Sequence, residues 1–201
     1  YGTSTFNLSG GKITGNSSVD GGAIYLNREP SVLNMSGGVI SGNTATGNGG
    51  GVYIYRTGSV CNLSGGTIEN NTADSGGGIY VNPNNSGQLN ISGAPTVRNN
   101  TVSGAANNVY LPSGKTLTIA APMELGASIG VTTQNLPANE GIAIATGANL
   151  DDKQYFHSDT GENYLFYVTS DGTICMTTAN AHDHPICGAS CQDGSSHKSE
   201  T

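Results

Sequence analysis

A block of sequence that returns at a nearly constant interval restricts this chain more than any other feature. Asn7-Leu-Ser-Gly-Gly, Asn34-Met-Ser-Gly-Gly, Asn62-Leu-Ser-Gly-Gly and Asn90-Ile-Ser-Gly-Ala follow one another at offsets of 27, 28 and 28 residues. A second block keeps the same register: Ile13-x-x-Asn16, Ile40-x-x-Asn43, Ile68-x-x-Asn71 and Val97-x-x-Asn100. The third is Gly21-Gly-Ala-Ile-Tyr25, then Gly50-Gly-Val-Tyr53, Gly77-Gly-Ile-Tyr80 and the looser Asn107-Asn-Val-Tyr110. Three blocks sharing one period over four copies define a repeated unit. Such a unit is too small to bury a core alone and becomes stable by stacking on its neighbours.

Residue types decide what the unit is. Phe6/Leu8, Leu33/Met35, Cys61/Leu63 and Leu89/Ile91 flank each repeat asparagine with period two, the alternation of a strand. Ile24/Leu26, Val52/Ile54, Ile79/Val81 and Val109/Leu111 do the same around each tyrosine. Between strands lie Gly-Gly pairs, which reach positive φ without a Cβ penalty. Helical spacing is missing throughout, and no Asn-Gly hairpin joins paired strands. The pattern therefore predicts an all-β chain, a right-handed parallel β-helix of about four coils over residues 1–111. Residues 112–180 are expected to form irregular final coils and a β-rich cap, because an open solenoid end exposes unpaired strand edges. Residues 181–201 read as a His/Cys-rich tail or linker.

In a stack of this kind every column becomes a ladder with a ~4.8 Å rung. Asn16, Asn43, Asn71 and Asn100 are expected at a turn, their amides bonded to one another. Tyr25, Tyr53, Tyr80 and Tyr110 alternate with inward residues and are expected to form an outward aromatic stack. Cys61 shares the column of Phe6, Leu33 and Leu89, so it is expected to be a buried apolar residue, and Cys175 in Thr173-Ile-Cys-Met is read the same way.

Composition limits the partners. Seven basic residues against fourteen acidic ones leave a net charge of -7 and no phosphate-binding patch, so nucleic acid is excluded as an expected partner. No run approaches the ~18 apolar residues of a membrane span. The chain starts at Tyr1 without a signal peptide, which reads as a piece of a longer protein whose other domains are partners in the same chain.

The pairing of Ile13-x-x-Asn16 with Gly21-Gly-Ala-Ile24 resembles the polymorphic outer membrane protein repeat, with Ile or Val where that repeat has Phe. The chain is closer still to the Asn-Leu-Ser-Gly-Gly repeat regions of large surface proteins in gut Gram-positive bacteria. This resemblance covers roughly residues 6–111. Ala127-Ser-Ile-Gly-Val-Thr-Thr133, Tyr155-Phe-x-Ser-Asp159 and Asp171-Gly-Thr-Ile174 are similar to segments behind such repeats. It implies a parallel β-helix at the bacterial surface or secreted, commonly an adhesin for host or environmental glycans or surface proteins.

Several constellations bear on chemistry. His182, His184, Cys187, Cys191 and His197 supply thiols and imidazoles for a tetrahedral structural zinc; a Cys187–Cys191 disulfide and a plain linker with free thiols are the alternatives. The tyrosine row admits two readings: a face stacking on sugar rings, with Arg28 and Arg56 in one column beside it, or contacts that merely stabilise neighbouring coils. Polysaccharide-cleaving β-helices need clustered carboxylates. Residues 1–111 hold only Asp20, Glu29, Glu69 and Asp74, and Asp20 aligns with Asn48 and Ser75 rather than with other acids. Asp151, Asp152, Asp159 and Glu162 lack calcium-loop spacing and read as a solvated turn. The expectation is a non-catalytic adhesive or spacer module. The rivals are a polysaccharide lyase or hydrolase drawing its acids from the cap or from a missing N-terminal part, and a pure scaffold.

Overall fold

A computed structural model describes residues 3–137, 141–161 and 163–178 of the 201. The first coil consists of β1 (Ser4–Thr14), β2 (Ser17–Ser18) and β3 (Ile24–Leu26). The second repeats it as β4 (Ser31–Ser41), β5 (Thr44–Ala45) and β6 (Val52–Ile54). In the third the long strand breaks at Gly65-Gly66 into β7 (Val60–Leu63) and β8 (Thr67–Glu69), followed by β9 (Thr72–Ala73) and β10 (Ile79–Val81). The fourth holds β11 (Gln88–Gly93), β12 (Thr96–Arg98), β13 (Thr101–Val102), β14 (Ala105–Ala106) and β15 (Val109–Leu111).

Corresponding strands pair in parallel at the repeat offset. Asn7 faces Asn34, Asn34 faces Asn62, and Asn62 faces Asn90; Tyr25, Tyr53, Tyr80 and Tyr110 are aligned in the same way. The chain is thus a parallel β-solenoid, as its period requires. Each coil also carries a short strand at the asparagine turn, and β2, β5, β9 and β13 form a small sheet of their own with β14 folded back antiparallel.

Stacking outlasts the repeat motif. A fifth turn, β16 (Leu117–Met123) and β17 (Ser128–Thr133), continues the column. It omits the turn excursion, so β17 alone pairs with β12 through Ser128 and Ile129 and with β15 through Val131 to Thr133. Beyond it β18 (Ile142–Thr146) and β19 (Phe156–Ser158) add parallel rungs on β16 and β17, with a 3-10 turn at Asp152–Tyr155 between them. An antiparallel pair, β20 (Tyr164–Val168) and β21 (Ile174–Thr178), then closes against β18. This change of direction ends the run of parallel strands.

One apolar column runs through the interior. Leu33, Ile40, Val52, Ile54, Cys61, Ile79, Val97, Leu117 and Ile129 are fully buried. Each such side chain contributes on the order of 1.5–3 kcal/mol relative to exposure. Burial also pushes the Cys61 thiol up to about 12. Cys175 departs from the expectation: it is only half-buried, because its neighbour across the antiparallel pair is Tyr167 rather than a stacked coil. Burial, with that contact adding to it, raises the Tyr167 hydroxyl to about 12. Glycines are dictated by the stacking distance: a Cβ on Gly50 would lie 2.5 Å from the Thr72 carbonyl oxygen.

Candidate functional site

The turn asparagines form a continuous amide ladder. Side-chain Nδ2 of Asn16 donates to Asn43 Oδ1, Asn43 to Asn71, and Asn71 to Asn100, each at 2.9 Å. Oδ1 of Asn43, Asn71 and Asn100 also accepts the backbone N–H of the preceding asparagine, which fixes the orientation of these amides. Asn43, Asn71 and Asn100 are wholly buried, so these bonds replace water entirely. The ladder runs two steps further than the repeat indicates. Asn100 donates to Asn108 in the same coil, across the β13–β14 excursion, and Asn108 donates to the Asp159 carboxylate. Asp159 also accepts from the Asn108 backbone N–H and from Thr132 Oγ1. A carboxylate has no hydrogen to pass on, so the chain of donors terminates there.

Asn7, Asn34, Asn62 and Asn90 form a second ladder on an outer face with the opposite polarity. Asn90 donates to Asn62, Asn62 to Asn34, and Asn34 to Asn7. Asp20 occupies the column expected of it, accepting the backbone N–H and Nδ2 of Asn48.

The tyrosine row sits on the third face. Tyr25 and Tyr53 stack at 5.1 Å with their planes 4° apart, Tyr53 meets Tyr80 edge-on at 5.2 Å, and Tyr80 stacks on Tyr110 at 5.3 Å. Thr132 takes the next position in the column. Tyr55 leans over the row, 5.6 Å from Tyr25 and 5.4 Å from Tyr53. Asn82 donates to the Tyr53 hydroxyl, and Tyr53 is only 5% exposed against 36% for Tyr25. The row therefore points outward, as expected, yet its centre is covered instead of forming an open platform. Burial raises the hydroxyl pKa of Tyr25, Tyr53, Tyr80 and Tyr110, and the nearby Asp20 carboxylate adds to the effect for the first three. All four remain hydrogen-bond donors at neutral pH.

What stays accessible is a corner of the first two coils. The Arg56 guanidinium lies 4.9 Å from the centre of the Tyr55 ring, and its Nε donates to the Asn27 carbonyl. Exposed Arg28 occupies the same column one coil earlier and lines a hollow of about 540 Å3 at the first coil, with Tyr25 on its wall. A second hollow of about 350 Å3 lies in the cap beside His157, Asp159 and Tyr164, residues without a repeat pattern to mark them.

Among the described residues the acidic side chains do not converge. Glu69 pairs with Arg98 at 3.1 Å on the surface. Asp152 is buried, against the solvated turn expected for it, and accepts the Asn149 N–H. Asp159 is committed to Asn108 and Thr132, whereas Asp151 is exposed. Among the described residues no three His, Cys, Asp or Glu side chains come close enough to hold a metal ion. Glu162 and the candidate zinc ligands His182, His184, Cys187, Cys191 and His197 lie outside the described residues. No helix among the described residues is long and apolar enough to cross a membrane. Compared with known protein families, curated proteins and solved structures, the chain matches none.

Proposed function

We propose that the chain is a non-catalytic segment of a larger bacterial surface or secreted protein, a stiff spacer that carries a small glycan-binding corner. The observation behind this reading is the corner formed by Tyr25, Tyr55 and Arg56 with Arg28 beside it. It holds the one cation–π contact among the described residues. Aromatic rings with polar tips suit the apolar faces and hydroxyls of sugars, and a guanidinium adds affinity for acidic ones. Spacer behaviour follows from ladders on all three faces, which tie each coil to the next through side chains as well as backbone. Asp152 and Asp159 act within the fold, and this argues against the polysaccharide-cleaving alternative.

The test is incubation with insoluble mucin and plant polysaccharides, scoring both depletion of the protein and release of reducing or unsaturated ends. Depletion without product, weakened at least tenfold by the Tyr55→Ala/Arg56→Ala pair, is the expected result; a tenfold loss corresponds to about 1.4 kcal/mol. Product release, or unchanged depletion by the double variant, overturns the reading.

A further inference from the structure

The two ends of the solenoid are finished differently. At the cap, the buried ladder stops on the Asp159 carboxylate and the parallel strands give way to an antiparallel pair. Among the described residues nothing comparable finishes β1–β3. Asn16 Oδ1 accepts no hydrogen bond among the described residues, although Oδ1 of Asn43, Asn71 and Asn100 each accept two from the preceding coil. Asn7 is the mirror case: its oxygen accepts from Asn34 while its Nδ2 donates to no described group. One ladder thus presents an acceptor on this face and the other a donor. A coil with asparagine in both columns would satisfy both at once.

Glycine spacing carries the same message independently. A Cβ on Gly37 would lie 2.5 Å from the Ser9 carbonyl oxygen, and one on Gly65 would lie 2.6 Å from that of Ser36, so the coil before each forbids any side chain. Gly10 holds the same column in the first coil. Its φ is not positive and nothing lies within 4 Å of its would-be Cβ. No contact in β1–β3 explains a glycine there, but a carbonyl from one more coil would. The apolar column is open as well: Phe6 is 45% exposed where its column mates Leu33, Cys61 and Leu89 are buried to 1% or less. Ile13, Ala23 and Ile24 border the 540 Å3 hollow beneath it.

We propose that the β1–β3 face is an interior joint, completed by one further coil of the same repeat stacked in parallel and covalently continuous with Ser4. Asparagines in that coil take the Asn7 amide hydrogen and fill the Asn16 oxygen, and the carbonyl of its motif serine packs over Gly10. A second copy of this chain is the wrong occupant. Meeting face to face about a two-fold axis, the two copies would wind in opposite senses, so the parallel register that brings both asparagine columns and the glycine column into line at once would be lost. Meeting head to tail, this face would find the antiparallel cap.

A copy of Ser31–Gly58 placed directly ahead of Ser4 in the full chain supplies such a coil in register. Amide exchange along β1 is expected to slow by roughly 100-fold, as for an edge strand turned into an internal one, and the unfolding midpoint to rise. Replacing the added coil's two ladder asparagines by alanine should remove most of the gain. Gly10→Ala gives the sharper reading, because it should be harmless in the original chain and destabilising in the extended one. Unchanged β1 exchange in the extended chain, or a Gly10→Ala effect that is the same in both, overturns the proposal. So does a concentration-dependent dimer of the original chain in which β1 becomes protected, which would assign the face to a second copy.

Discussion

The buried asparagine ladder makes a quantitative demand at Asn71. Its Oδ1 is the acceptor for the Asn43 backbone N–H at 3.0 Å and for Asn43 Nδ2 at 2.9 Å. Its own Nδ2 reaches Asn100 Oδ1 and the Ile40 and Glu69 carbonyls. In Asn71→Ala the Asn43 N–H, in a wholly buried residue, loses its partner, at a cost of ~1–3 kcal/mol. Asn43 Nδ2 keeps the Ile13 and Ser41 carbonyls, but the interactions of the two Asn71 Nδ2 hydrogens vanish at a net ~0.5–1.5 kcal/mol each, which brings the expected loss to about 4 kcal/mol. That is a large part of the ~5–15 kcal/mol typical of a folded domain.

Asn16→Ala is the internal control. It removes the same side chain from the exposed end of the ladder, where Asn43 Oδ1 keeps the Asn16 backbone N–H, so the loss should stay below ~1 kcal/mol. Asn71→Asp separates hydrogen bonding from volume. The carboxylate still accepts from Asn43, but it sets an oxygen against Asn100 Oδ1 and the Ile40 carbonyl, and it should cost at least as much as alanine. The assay is urea unfolding followed by tyrosine fluorescence and by far-ultraviolet dichroism, whose coincidence checks two-state behaviour. Asn71→Ala and Asn16→Ala equal in cost at unchanged m-value would refute the ladder as a source of stability.

Asp159→Ala removes the acceptor for Asn108 and Thr132, and hydrogen bonds to a charged group are worth ~1.5–3 kcal/mol each, so the cap should loosen first, read as faster amide exchange in β19 than in β7. Gly37→Ala should cost several kcal/mol in the same urea assay, because the obstacle is the Ser9 backbone and cannot swing aside. Stability should be lost on the alkaline side. Cys61, held at about 12, stays a thiol in the fold while the unfolded thiol ionises from about pH 8.5, so its contribution is complete below that pH and disappears toward 12; urea midpoints measured from neutral pH upward should fall, and more gently in Cys61→Val. If the tail holds zinc as its residues suggest, elemental analysis should find about one equivalent per chain, lost in Cys187→Ser, and no metal with two titratable tail thiols would leave a linker.

What repeats in this chain was legible, and what occurs once was not. The period placed the inward column, the Asn16–Asn100 ladder, the aligned tyrosines and the burial of Cys61, because each is a statement about a column and four copies vote on it. Asp159 carries no sequence mark as the ladder's terminus, since it stands 51 residues from Asn108 with no recurring neighbour to align it. Asn108 was hidden for a related reason: it fills a rung from within the fourth coil, only eight residues after Asn100, so register alone assigns it to the Gly-Gly column. The fifth turn carries no repeat motif because β17 spans two faces without the turn that marks them in earlier coils. Cys175 departs from expectation because strand alternation sets which side a residue takes but not whether a coil covers that side.

That asymmetry says where function belongs in such a molecule. A column repeated in every coil is under a common constraint, the stacking distance, and has little freedom to adopt a chemistry of its own. Tyr55 shares its column with Asn27 and Asn82, and Arg56 shares its column with Arg28 and Pro83, so neither coil above nor coil below dictates an aromatic ring or a guanidinium there. Asn71 is replaceable by nothing without a large loss of stability; Tyr55 and Arg56 are replaceable by many residues at little cost to it. A Tyr55→Ala/Arg56→Ala protein should therefore unfold at nearly the midpoint of the unaltered chain while losing its retention on polysaccharide. If stability and retention fall together, the corner is part of the scaffold, and the glycan reading goes with it.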